Sequence, residues 1–127
     1  MFIPNHLHIL VKGTCKKPPL EVESLNIWFV NLVEKVRMKV VAGPTSVYVS
    51  EPGNEGLTGT VTLATSHASI HVWEKDSPPM FQFDLYSCSC FEVNEIIEHL
   101  NEFELIEAEW MLIDRNNGLN ILSQGEC

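Results

Sequence analysis

A single apolar stripe constrains this chain more than any other feature. Leu25, Trp28, Phe29, Leu32, Val33 and Val36 recur at i, +3, +4, +7, +8 and +11, the spacing of residues that share one face of an α-helix. The spacing predicts a helix of about 18 residues, with Glu34, Lys35 and Arg37 off the stripe. An apolar face of that kind has to be buried against a second layer.

The flanking segments change period. His6 to Val11 reads as a strand, and Gly13 to Pro19 as a turn region with a glycine and two prolines. Lys39 to Ser50 is strand-like but interrupted at Gly43-Pro44, and Glu51 to Gly56 is dense in turn formers, predicting a hairpin-type loop. Gly59 to Thr65, Ala68 to Trp73 and Phe81 to Ser87 follow as β-rich segments, the last two separated by Asp76 to Pro79, and suggest an antiparallel meander. Phe81, Phe83 and Leu85 alternate with Gln82 and Asp84, as in a sheet covered on one face. Val93, Ile96, Ile97 and Leu100 predict a second helix of about 11 residues, Glu107 to Asp114 a last strand, and Asn116 onward a polar tail. This order predicts one α+β domain over residues 1–127: a two-layer sandwich with two helices on one face of a mainly antiparallel sheet. The open face is left for something else, such as a second copy.

Composition narrows the partners. With 127 residues, 45% hydrophobic, the chain fits one domain with an ordinary core. Seventeen acidic against eight basic residues give a charge of −9, and no basic cluster exceeds Lys16-Lys17, which argues against nucleic acid and anionic membranes. Met1 to His6 lacks a basic region leading into an apolar core, and no later stretch approaches the roughly 18 apolar residues of a membrane span; a cytoplasmic protein is expected. Four cysteines, at 15, 88, 90 and 127, are too irregular for a disulfide framework and read as reduced thiols. His6, His8 and His99 lack metal-site spacing and are assigned no role, and no metal site is expected. No GxGxxG, P-loop or HExxH pattern occurs.

The densest polar cluster interrupts the apolar strands: Thr65-Ser66-His67-Ala68-Ser69-Ile70-His71-Val72-Trp73, then Asp84-Leu85-Tyr86-Ser87-Cys88. Hydroxyls, imidazoles and a thiol at strand positions need hydrogen-bond partners or a chemical task. Taken alone, Cys88 fits a buried apolar cysteine as well as a reactive one, and Trp73 fits core packing. Ser66 and His71 also admit a hydrolase pair, although the Gly-rich nucleophile elbow is missing.

The run Ser66-His67-x-Ser69-Ile70-His71-x-Trp73, with the later Asp84-x-x-x-Cys88, resembles the core motif of the short, prokaryotic-type S-adenosylmethionine decarboxylases, which make the aminopropyl donor for spermidine. The resemblance extends from His6-Leu7 through the second helix and leaves only the tail outside. It implies a proenzyme that cuts itself: the Ser66 hydroxyl attacks the Thr65 carbonyl, the amide becomes an ester, and β-elimination leaves a pyruvoyl group derived from Ser66. Residues 1–65 and 66–127 would be the two subunits. A Schiff base to the pyruvoyl carbonyl would then serve as the electron sink for decarboxylation without a diffusible cofactor. By position, the resemblance implies His71 as the base that removes the Ser66 α-proton and Thr58 as a hydroxyl that helps self-cleavage. It implies Cys88 as the acid that returns a proton to the substrate carbon. It further implies S-adenosylmethionine as the small-molecule substrate, and an αββα homodimer whose active site draws on both chains.

Three positions depart from the family pattern. Thr65 stands where an acidic residue usually precedes the processing serine, which predicts slow or absent self-cleavage. Trp73-Glu74-Lys75 replaces Trp-Pro-Glu, so an acid expected at the substrate ribose is displaced by one residue, and strand alternation aims Glu74 at the opposite face. Ser89 replaces the glycine after the cysteine, a restriction if φ there is positive. Two alternatives therefore stay open: a pyruvoyl enzyme acting on ornithine or arginine, and an uncleaved homologue that binds a ligand or partner subunit.

Overall fold

The apolar periodicity becomes the core. In the computed structural model, which describes residues 5–127, five residues of the stripe lie on α1 (Val22–Lys35) and the sixth, Val36, is its C-cap; all six are buried. The helix is shorter than the spacing suggests, at 14 residues. It ends because Arg37, just past the C-cap Val36, turns left-handed at φ 61°.

The strands are β1 (Leu7–Cys15), β2 (Val40–Val49), β3 (Gly56–Leu63), β4 (Ser66–Trp73), β5 (Met80–Ser87), β6 (Leu105–Asp114) and β7 (Asn120–Glu126). They form one antiparallel sheet in the order β2-β3-β4-β5-β1-β6-β7. The expected meander is β3-β4-β5, and β1 inserts between β5 and β6. Along β4, Ser66, Ala68, Ile70 and Val72 are buried on one face while His67, Ser69, His71 and Trp73 occupy the other.

The buried face is covered by α1 and by α2 (Val93–Leu100), which runs on into a 3-10 turn (Asn101–Phe103), together the predicted 11 residues. Trp28 joins the two layers. Its ring stacks on Phe103, meets Phe83 of β5 edge-on, and its N–H donates to the His99 carbonyl at 3.2 Å. α1 approaches β3 closely because position 59 is glycine: a Cβ there would lie 2.8 Å from the Phe29 ring and 2.9 Å from Leu25. α2 opens with a capping box between Glu92 and Glu95.

Two expectations are corrected. The turn placed at Gly13 starts later, because β1 continues to Cys15 and the ring of Phe81 fills the space a side chain at Gly13 would need. The polar tail is a strand: Asn116 to Leu119 bend the chain back, and β7 pairs with β6 from Glu109–Glu126 to Asp114–Asn120. Among the described residues no helix is long and apolar enough to cross a membrane.

Candidate active site

The β3–β4 hairpin places the first group. Leu63 pairs with Ser66, so Ala64 and Thr65 alone make the turn. Thr65 has φ 54°, a left-handed conformation that disfavours a β-branched side chain and is ordinarily left to Gly, Asn or Asp. The peptide bond between Thr65 and Ser66 thus leaves a strained residue, with strain of about 1–3 kcal/mol.

Ser66 turns toward the helix-covered face and is 8% exposed. Its Oγ accepts the backbone N–H of Cys88 at 3.0 Å. Cys88 follows β5, the neighbour of β4, and register brings it alongside the turn. Thr65 Oγ1 lies 2.7 Å from both the Ala64 carbonyl oxygen and Cys88 Sγ. Hydrogen bonds from Thr65 and then Ser66 hold the Cys88 thiol below its ordinary pKa, outweighing the opposing effect of burial.

The second group sits elsewhere. Thr58 and His71 are register partners on β3 and β4, and Thr58 Oγ1 lies 3.1 Å from His71 Nδ1 on the open face. The Trp73 ring is 6.2 Å from that of His71, and its N–H donates to Asn54 at 3.0 Å. A cleft of about 940 Å³ on this face includes Lys12, Ser69, His71, Asp84 and Glu109 in its lining, but neither Ser66 nor Cys88.

The polar run therefore does not converge within one chain. Thr65, Ser66 and Cys88 meet, as do Thr58 and His71, but Ser66 and His71 point to opposite faces of β4. They are five residues apart on one strand, roughly 16 Å along it. An odd spacing on a strand always separates faces, so this signal was present in the sequence.

The departures also resolve. Glu74 accepts the hydroxyl of Tyr48, which is registered with buried Leu57, so the acid lies on the side opposite Trp73, as alternation requires. Ser89 carries no strain, because the non-glycine residues with positive φ among those described are Arg37, Thr65 and Glu104.

The four cysteines are free thiols, and burial pushes the Cys15 pKa up to about 11. His99 is a core residue whose ring bonds the Trp28 carbonyl at 2.8 Å. His8, assigned no role from its spacing in the sequence, lies 2.7 Å from Asp84. No spacing rule could show that pair, since the residues are 76 positions apart and only the insertion of β1 beside β5 joins them.

A model of the S-adenosylmethionine decarboxylase family matches residues 8–116. The chain is similar to the S-adenosylmethionine decarboxylase proenzyme of Clostridium botulinum strain Hall, 31% identical over 62 residues that make up 46% of this chain and 52% of that protein. It is also similar to the protein of the same name from Clostridium botulinum strain Loch Maree, 33% identical over 49 residues, 38% of this chain and 40% of that protein. The chain spans about half the length of the curated relatives it matches.

Proposed function

This chain belongs to the S-adenosylmethionine decarboxylase family, and we propose that it is a self-processing, pyruvoyl-dependent decarboxylase of S-adenosylmethionine whose reactive group forms at Ser66. The observation that carries this reading is the strained turn: a β-branched residue at φ 54° directly before a serine whose hydroxyl is held by a backbone N–H.

Ser66 Oγ is tethered beside the Thr65 carbonyl carbon, so attack requires little ordering. The Cys88 N–H directed at Oγ favours negative charge on that oxygen. The new C–O bond replaces the C–N bond, leaving an ester and a free amine at residue 66. Loss of the Ser66 α-proton expels the Thr65 carboxylate, and hydrolysis of the resulting enamine consumes water, releases ammonia and leaves the pyruvoyl carbonyl. The site fits so small a group, since Ser66 is already buried beside Cys88. That group supplies the electron sink for decarboxylation. Cys88, whose backbone N–H meets the Ser66 hydroxyl, stands beside the position the pyruvoyl group would take, where its thiol can return a proton to the substrate carbon.

The α-proton needs a base, and one chain does not bring His71 to it. In a homodimer built on the open face, a two-fold axis across the strands inverts their direction and lays the Thr58–His71 end of one copy over the strand end that carries Ser66 in the other, although the Ser66 hydroxyl itself lies on the covered face.

Intact mass is the test. Processing yields chains of residues 1–65 and 66–127, the second trapped by borohydride or hydroxylamine, and Ser66→Ala abolishes both. A full-length chain that persists on long incubation, with Ser66→Ala behaving alike in every assay, leaves a binding protein instead. Carbon dioxide release from ornithine or arginine, but not from S-adenosylmethionine, defeats the substrate assignment.

A further inference from the structure

The open face holds a second polar group that the decarboxylase reading does not use. His8 of β1 and His67 of β4 flank Tyr86 of β5 in register, and Asp84 lies two residues along β5 on the same face. His8 Nε2 is 2.7 Å and His67 Nε2 3.9 Å from Asp84 Oδ2. All three ligand atoms lie within 4.8 Å of one another. We infer that His8, His67 and Asp84 form a binding site for a divalent transition-metal ion of the zinc class, its remaining position directed off the open face, where the proposed second copy would pack.

The donor set is suited to that class. Two imidazoles and one carboxylate favour zinc and its neighbours, whereas magnesium and calcium take oxygen ligands. Zinc bonds of about 2.0 Å set ligand atoms roughly 3.3 Å apart at tetrahedral angles. The His8–Asp84 pair would open, and the His67–Asp84 pair close, by roughly half an ångström each from 2.7 and 3.9 Å. His67 is free to make that move, being 51% exposed, while His8 and Asp84, at 18% and 23%, are held. Ser69 donates to the other oxygen of Asp84 and so fixes Oδ2 toward the histidines.

Arg115 opposes the ion. Its guanidinium lies 4.4 Å over the Tyr86 ring and approaches His8 Nδ1 at 3.4 Å. Guanidinium can only donate, so Nδ1 accepts, and the His8 proton sits on Nε2, directed at Asp84. An ion on Nε2 requires the other tautomer, in which Nδ1–H faces the Arg115 cation. Arg115 therefore weakens binding both through the tautomer and by its charge.

The inference does not rest on self-cleavage, so the full-length Ser66→Ala chain without an affinity tag is the protein to use. Zinc titrated against a competing indicator should fill one site per chain. His67→Ala and Asp84→Asn should each weaken it at least tenfold, and Arg115→Gln should tighten it severalfold, with unchanged urea midpoints excluding misfolding. Zinc binding that survives both ligand substitutions would overturn the inference. So would binding lost in Cys88→Ser/Cys90→Ser, which would assign the ion to thiols, or no binding by any of these proteins.

Discussion

Replacing Thr65 by glycine separates strain from hydrogen bonding at the proposed cleavage bond. At φ 54° the left-handed conformation costs a residue with a Cβ about 1–2 kcal/mol that glycine does not bear. The amide is cut from that ground state, and an acyl shift that frees the turn releases the strain on the way to the transition state. Glycine should then slow the shift by the same energy, roughly five- to thirtyfold at 1.36 kcal/mol per factor of ten. The greater unfolded-state entropy of glycine does not enter this rate, because both states compared are folded. It does enter stability. In the Ser66→Ala background, Thr65→Gly should raise the urea unfolding free energy by only about 0–1.5 kcal/mol, the strain relieved less some 0.5–1 kcal/mol of backbone entropy. Thr65→Val keeps the β-branch and removes the hydroxyl, so it should cleave near the parent rate. The assay is intact mass against time after refolding. A glycine variant that cleaves as fast as the parent while gaining stability would show strain that does not drive the chemistry. A glycine variant that loses more than about 1 kcal/mol would show that no strain is present.

Four further outcomes follow from named residues. Cys88→Ala should process normally and turn over poorly, since protonation comes after cleavage, whereas His71→Ala should stall at the ester and fragment only when hydroxylamine is added. Iodoacetamide should alkylate Cys88 with a pH midpoint below that of a free thiol. Thr65→Val should raise that midpoint, because the Thr65 hydroxyl is the chief cause of the lowered pKa. Trp28→Ala should cost about 3–5 kcal/mol in urea unfolding, through the cavity against Phe83 and Phe103. The Arg37 hydrogen bond holds Glu95 down to about 2, so its stabilisation is complete above the ordinary carboxylate range and is lost as pH falls through that value. Glu95→Gln should therefore be less stable at neutral pH, by at most about 1 kcal/mol for so exposed a pair, and the difference should vanish near pH 2.

Much of this was legible in the sequence because burial follows a local period. The stripe from Leu25 to Val36 marked a helix face, and Phe81, Phe83 and Leu85 marked the covered face of a sheet, since 3.6 and 2 are fixed by backbone geometry alone. The same alternation placed Glu74 opposite Trp73 and, applied to Ser66 and His71, separates them. The family motif was legible too, because it is a string of residue types. The strained φ of Thr65 was not, since it arises from closing a two-residue hairpin between strands whose register is set by their whole buried faces. Nor was β7, whose exposed Ile121 and Leu122 read as a tail until the free edge of β6 offered backbone partners. The meeting of His8 with Asp84 was hidden for a deeper reason. Contacts between distant strands depend on sheet order, and the insertion of β1 between β5 and β6 is decided by how the whole chain closes over its core.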